Sequence, residues 1–131
     1  MVFEIADWLL DYQQLKTGGF INDHQSDSPG FTTAVYLEGI AAAMPVANLL
    51  KEGARAANYL NSFTRGFEFL DRLIIQPRDE SMLPNIDWAL GGLRQSLNRS
   101  EIRIDFVQHS LSAILYYRES AHLAQRAGAT G

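Results

Sequence analysis

Gly18-Gly19-Phe20 recurs as Gly91-Gly92-Leu93, 73 positions later, and these two stretches decide the fold. Each glycine pair lies between helix-like runs. The first follows Ile5 to Lys16. After each pair comes a polar stretch of roughly a dozen residues, the length of a functional loop rather than a tight turn. A long helix then opens, with Phe31-Thr32-Thr33-Ala34 in one case and Ile104-Asp105-Phe106-Val107 in the other. One supersecondary unit used twice accounts for this: helix, glycine loop, helix. A repeat of this kind constrains the whole architecture.

The flanking runs fill in the helices. Phe3, Ala6, Leu9, Leu10 and Gln13 share one helical face, which predicts a first helix over Phe3 to Lys16, stopped by Gly18. A second helix is expected from Thr32 to Lys51. It is apolar nearly all round, through Val35, Leu37, Ile40, Ala41, Ala42, Ala43, Val46 and Leu49, and is expected to be buried on most sides. Pro45 predicts a kink in it. Gly53 is read as a break. A third helix follows over Ala54 to Ile75, with Ala57, Leu60, Phe63, Phe67, Leu70 and Ile74 as its stripe and Pro77 as its end. Gln76 to Glu101 is a long connection with a short turn expected at Ile86 to Leu90. The last helix, Ile102 to Arg126, shows an apolar stripe of Ile104, Val107, Leu111, Ile114 and Leu115. No strand of convincing length is visible. The reading is all-α, in antiparallel helical hairpins, with a four-helix bundle as the other architecture. The chain forms one helical domain over 1–131, repeat one covering about 3–53 and repeat two about 54–126.

The bulk properties narrow the function classes. At 131 residues, 47% hydrophobic and 20% charged, the chain can build a core and is not a disordered one. Its net charge of -4 gives no global attraction to nucleic acid or an anionic membrane. With no cysteine there are no disulfides or thiolate metal sites, which leans the expectation towards a cytoplasmic protein. The start, Met1-Val2-Phe3-Glu4, lacks a basic region and does not read as a signal peptide. The most apolar stretch, Gly39 to Leu50, is shorter than the ~20 residues a membrane span needs. No cofactor-binding motif is present, and no cofactor is expected.

Trp8-Leu9-Leu10, Gln13-Gln14, Gly18-Gly19-Phe20 and Thr33-Ala34-Val35-Tyr36-Leu37 resemble the helical-hairpin repeats of (α/α) toroids. Those include the terpenoid cyclase and protein prenyltransferase folds and the six-hairpin sugar-processing enzymes. Gly91-Gly92-Leu93-Arg94, followed by Asp105 to Ala113, looks like a second such hairpin. The resemblance implies part of a toroid-like array, completed by the remainder of a longer chain or by a homo-oligomer. It carries over no catalytic residue. The aspartate run of terpenoid cyclases is absent, and there is no Cys for the zinc of prenyltransferases.

The candidate chemistry lies on the last helix. Asp105, His109, Ser112 and Tyr116, spaced four, three and four, share one face, flanked by Gln108. An Asp–His pair there could work as general acid and base, the carboxylate orienting the imidazole. The same pattern also fits a solvated helix face. Glu38 is the only acid between Phe31 and Leu50, and a charge on such a helix needs a partner or a pocket. Arg94 and Arg103 are the expected partners; in a pocket, Glu38 would instead suit proton transfer. Arg94, Arg99 and Arg103 near Trp88 could hold an anionic sugar or phosphate, or could be surface scatter. Asp23-His24-Gln25-Ser26-Asp27 has ligand-type side chains without a recognised metal spacing, so it is read as a turn and no metal is expected.

These residues lead to two expectations. The first is a toroid segment acting on or binding a carbohydrate-type ligand, with Glu38, Asp105 and His109 as catalytic candidates and Tyr36, Trp88, Arg94, Arg103 and Gln108 as ligand contacts. The second is a non-catalytic helical module that associates through the apolar surface one small domain leaves bare.

Overall fold

The computed structural model describes residues 1–21 and 29–129. Its elements in order are α1 (Val2–Leu10), α2 (Thr32–Leu49), α3 (Gly53–Asp71), a 3-10 helix (Pro77–Met82), α4 (Ile86–Ala89), strands β1 (Arg94–Ser96) and β2 (Arg99–Ile102), and α5 (Ile104–Ala129). With 67% of the described residues in helices and no sheet among them beyond this two-stranded one, the fold is mainly α.

The glycine pairs make the same turn twice. Gly18 and Gly91 have φ of 80° and 79°, the left-handed region where a side chain is strained. Gly18 N–H donates to the Gln14 carbonyl, and Gln14 N–H returns a bond to the Gly19 carbonyl. In the second copy, Gly91 N–H donates to the Ile75 carbonyl, and Ile75 N–H returns a bond to Gly92. The next rungs match as well: Ile21 N–H to Tyr12 and Arg94 N–H to Leu73. Phe20 and Leu93, which follow the two pairs, are both buried.

These rungs explain where two helices stop short. α1 ends at Leu10 and not Lys16, and α3 at Asp71 and not Ile75. In both cases the following residues give their backbone groups to the glycine loop, and a backbone carbonyl bonded there cannot continue the helical ladder. Gly53 opens α3 rather than separating it from α2. The expected turn at Ile86 is present as α4, and the long connection also holds the 3-10 helix and the β1–β2 hairpin, which the sequence did not reveal.

α2 is the hub. Phe31 stacks on Phe106 at 3.9 Å, Glu38 meets His109, and Asn48 meets Ser120. Both numbers rise together, so α2 and α5 run parallel, side by side. α3 lies antiparallel to both: its Gly66 backs onto Leu37, while Ala56 and Leu60 share a cavity with Met44 and Tyr117. α1 runs alongside α3, tied by Phe3 to Tyr59 and by the Gln13 amide to the Ser62 carbonyl. α5, α3 and α1 thus pack around α2. The core between them holds Leu37, Ile40, Tyr59, Phe69, Leu73 and Phe106.

The predicted apolar stripes are rotated. On α3 the buried positions are Tyr59, Ser62, Phe63, Gly66, Phe69 and Leu70, with Leu60 exposed. On α5 they are Phe106, Ala113 and Ser120, whereas Ile104, Leu111 and Leu115 are 87%, 55% and 63% exposed. α2 is buried on most sides, yet Val35 and Gly39 face outwards and Leu49 stands free at its end. Among the described residues no helix is long and apolar enough to cross a membrane.

Candidate functional site

Parallel packing of α2 on α5 brings Glu38 and His109 together. The residues lie 71 apart in sequence, and His109 Nδ1 sits 2.6 Å from Glu38 Oε2. The side chains are 29% (Glu38) and 33% (His109) exposed, so the pair is neither sealed in the core nor fully solvated. The carboxylate only accepts, so at neutral imidazole it fixes the ring proton on Nδ1. Nε2 is then the free basic nitrogen. This is the orienting arrangement by which a carboxylate prepares a histidine for proton transfer.

The orienting carboxylate is Glu38 and not Asp105. Asp105 instead takes a two-bond clamp from Arg103, at 3.1 Å from Nε and 3.0 Å from Nη2. Arg94 is also accounted for elsewhere. It is buried, with Nη2 donating to the Arg72 carbonyl at 2.9 Å and Nη1 3.8 Å from Asp79. The expected Glu38–arginine pair is thus replaced by Glu38–His109. Arg94 holds the second glycine turn to the end of α3.

The other candidates are dispersed. Tyr36 packs edge-on against Tyr12 and Phe20, with ring centroids at 6.0 and 5.3 Å, and burial raises its phenol pKa above the ordinary value, with the neighbouring Tyr12 adding to the shift. Trp88 is 90% exposed on α4, and Gln108 is exposed on α5. Ser112 and Tyr116 continue the His109 face of α5 by helical periodicity. The Asp23–Asp27 segment lies outside the described residues. Among the described residues no three His, Asp or Glu side chains come together as a metal site requires.

Further along the same α2–α5 seam, Pro45, Val46 and Leu49 face Leu123, Ala124 and Ala127 across an apolar groove of about 460 Å³. Pro45 lies seven positions after Glu38, about 10 Å along the helix. One seam therefore carries the Glu38–His109 pair at one end and an apolar groove at the other. The sequence hid this groove because its two walls come from distant segments.

A second polar cluster ties α1 to α3. Tyr59 donates to Asp7 Oδ1 at 2.6 Å, and Arg55 Nε donates to Asp7 Oδ2 at 3.1 Å. The Tyr59 hydrogen bond, and then Arg55, hold the Asp7 carboxyl below its usual range, against some opposing burial. Burial first, and the Asp7 bond second, push the Tyr59 phenol well above its usual value. The sequence signal was the four-residue spacing of Arg55 and Tyr59, one turn of α3. These groups are satisfied by each other, which marks them as architecture.

Comparison of the chain with protein families, with curated proteins and with solved structures finds no match.

Proposed function

We propose that this chain is a segment of an (α/α) toroid-like array that binds or transforms a carbohydrate-type ligand at the α2–α5 seam. Glu38 orients His109, and His109 Nε2 accepts or donates a proton at a ligand hydroxyl or ring carbon. Ser112 and Tyr116 supply hydroxyl contacts on the same helix face. The Glu38–His109 hydrogen bond carries this reading, because a partly exposed, carboxylate-oriented imidazole is arranged for proton transfer. The array part draws support from the duplicated glycine turn and from α2 and α5 lying parallel, side by side.

The test is a titration of the 15N-labelled protein with neutral hexoses, N-acetylated amino sugars and uronic acids at millimolar concentration. Shifts are expected at His109, Ser112 and Tyr116, and they should vanish in His109→Ala and weaken in Glu38→Gln. A protein whose seam resonances ignore every saccharide would remove the ligand reading.

The second reading, a helical interaction module, is favoured by the exposed row Ile104, Leu111 and Leu115 on α5.

A further inference from the structure

We infer that the cavity between the first glycine turn and the C-terminal end of α3 binds a small phosphate monoester that also carries a hydroxyl group. This site shares no residue with the Glu38–His109 pair and stands independently of it.

The cavity measures about 440 Å³, within the range of small-ligand sites. Lys16, Thr17 and Gly18 line it from the turn, and Arg65, Glu68 and Arg72 line it from α3 and its C-cap. Three cations against one carboxylate leave an excess of two positive charges, in a chain whose net charge is -4. The carbonyl end of α3 returns about half a negative charge, so roughly +1.5 remains. A phosphate monoester carries about -1.5 to -2 near neutral pH and matches that excess, as a single carboxylate does not.

These charges are held in place without being neutralised. Arg65 Nη2 donates to the Gln14 and Leu15 carbonyls, both at 3.0 Å. Arg72 Nη2 donates to the Thr17 carbonyl, and its guanidinium lies over the Phe69 ring at 5.3 Å. A Cβ on Gly18 would collide with the Arg65 carbonyl, so the turn lies hard against α3. Other arginines differ. Arg55, Arg94 and Arg103 each stand against a carboxylate, at 3.1, 3.8 and 3.0 Å. Arg65 and Arg72 have neutral carbonyls instead. Glu68 sits three positions after Arg65 and four before Arg72, the spacing that permits an ion pair. Among the described residues it pairs with neither, and Lys16 pairs with no carboxylate. Nε and Nη1 of both arginines therefore keep their donors, as does the Lys16 ammonium. Arginines anchored in advance lose little freedom when an anion arrives.

Glu68 selects among anions. An ionised carboxylate only accepts hydrogen bonds, so it takes a hydroxyl of the ligand and repels a second phosphate. A monoester with a nearby hydroxyl suits both requirements. A nucleic acid would meet Glu68 and a negatively charged chain.

Titration of the 15N-labelled protein with glucose 6-phosphate, inorganic phosphate and glucose, at constant ionic strength, tests this. The ester should shift the Lys16, Thr17 and Gly18 amides and the Arg65 and Arg72 Nε signals, and should bind more tightly than inorganic phosphate. Glucose should leave those signals unmoved. Lys16→Gln should keep the circular dichroism spectrum and weaken the ester about tenfold, and Arg72→Gln at least as much. Glu68→Gln should strengthen inorganic phosphate and erase the preference for the ester. Silence of these signals towards both phosphates at ~10 mM overturns the site, as does an unchanged affinity in Lys16→Gln. Equal affinity for ester and inorganic phosphate overturns the ester, and tighter binding of a single-stranded oligonucleotide overturns the small ligand.

Discussion

Asp7 illustrates how one carboxylate sets part of the stability at both ends of the pH scale. Its folded pKa is lowered, chiefly by the Tyr59 hydroxyl. That contribution is therefore complete above the unfolded carboxyl value of about 4 and is lost as pH falls through the folded value. Tyr59 works in the opposite direction. Its folded pKa is raised by burial, so stability is complete below the unfolded phenol value of about 10 and declines as pH rises beyond it. Tyr59→Phe should lower stability at neutral pH by about 1 to 2 kcal/mol, the low end for a bond to a charged group because Asp7 is partly solvated. Denaturant titrations of both proteins at several pH values check this. The variant should also lose most of the acid-side dependence; an unchanged acid profile would show that Arg55 dominates instead.

At the scale of elements, α5 separates what was legible from what was not. Its existence and approximate span follow from the sequence, as do those of α2 and α3. Its buried face does not. The periodicity selects the largest aliphatic side chains, Ile104, Leu111 and Leu115, and these face outwards. The inward positions are Phe106, stacked on Phe31, and then Ala113 and Ser120, which are small because parallel helices that approach closely need small side chains at the contact. A hydrophobicity pattern weights long aliphatic side chains above alanine and serine, so it points to the wrong side. Glu38 shows the same division. Its need for a partner was readable from the apolar run around it, whereas the identity of that partner depended on the sense in which α5 lies along α2. One substitution on each face checks the assignment. Ala113→Leu should destabilise by about 1 to 3 kcal/mol through overpacking, while Leu115→Ser should change monomer stability by no more than about 0.5 kcal/mol. Thermal melts of the two variants at low concentration read this out, and the reverse order would mean that the stripe faces the core after all.

For the molecule as a whole, the glycine repeat was the most legible feature, because a left-handed turn restricts residue choice more than any helix position does. The small hairpin between α4 and α5 was not legible, since three and four paired residues leave too short a pattern. Yet that hairpin joins the two repeats. Phe31 N–H donates to the Gln95 carbonyl at 2.8 Å, and Gly30 bridges to Ser96. The start of α2 is thus stitched to β1, the strand that leads through β2 into α5. Local opening should therefore not respect the boundary between repeats. The Phe31 amide and the β1–β2 amides are expected to exchange with deuterium as one cooperative unit, with matching protection that falls together when the hairpin is loosened by Ser96→Pro. A chain with two copies of one glycine turn would then melt at this end as a single latch, so neither half could be replaced without retuning the other.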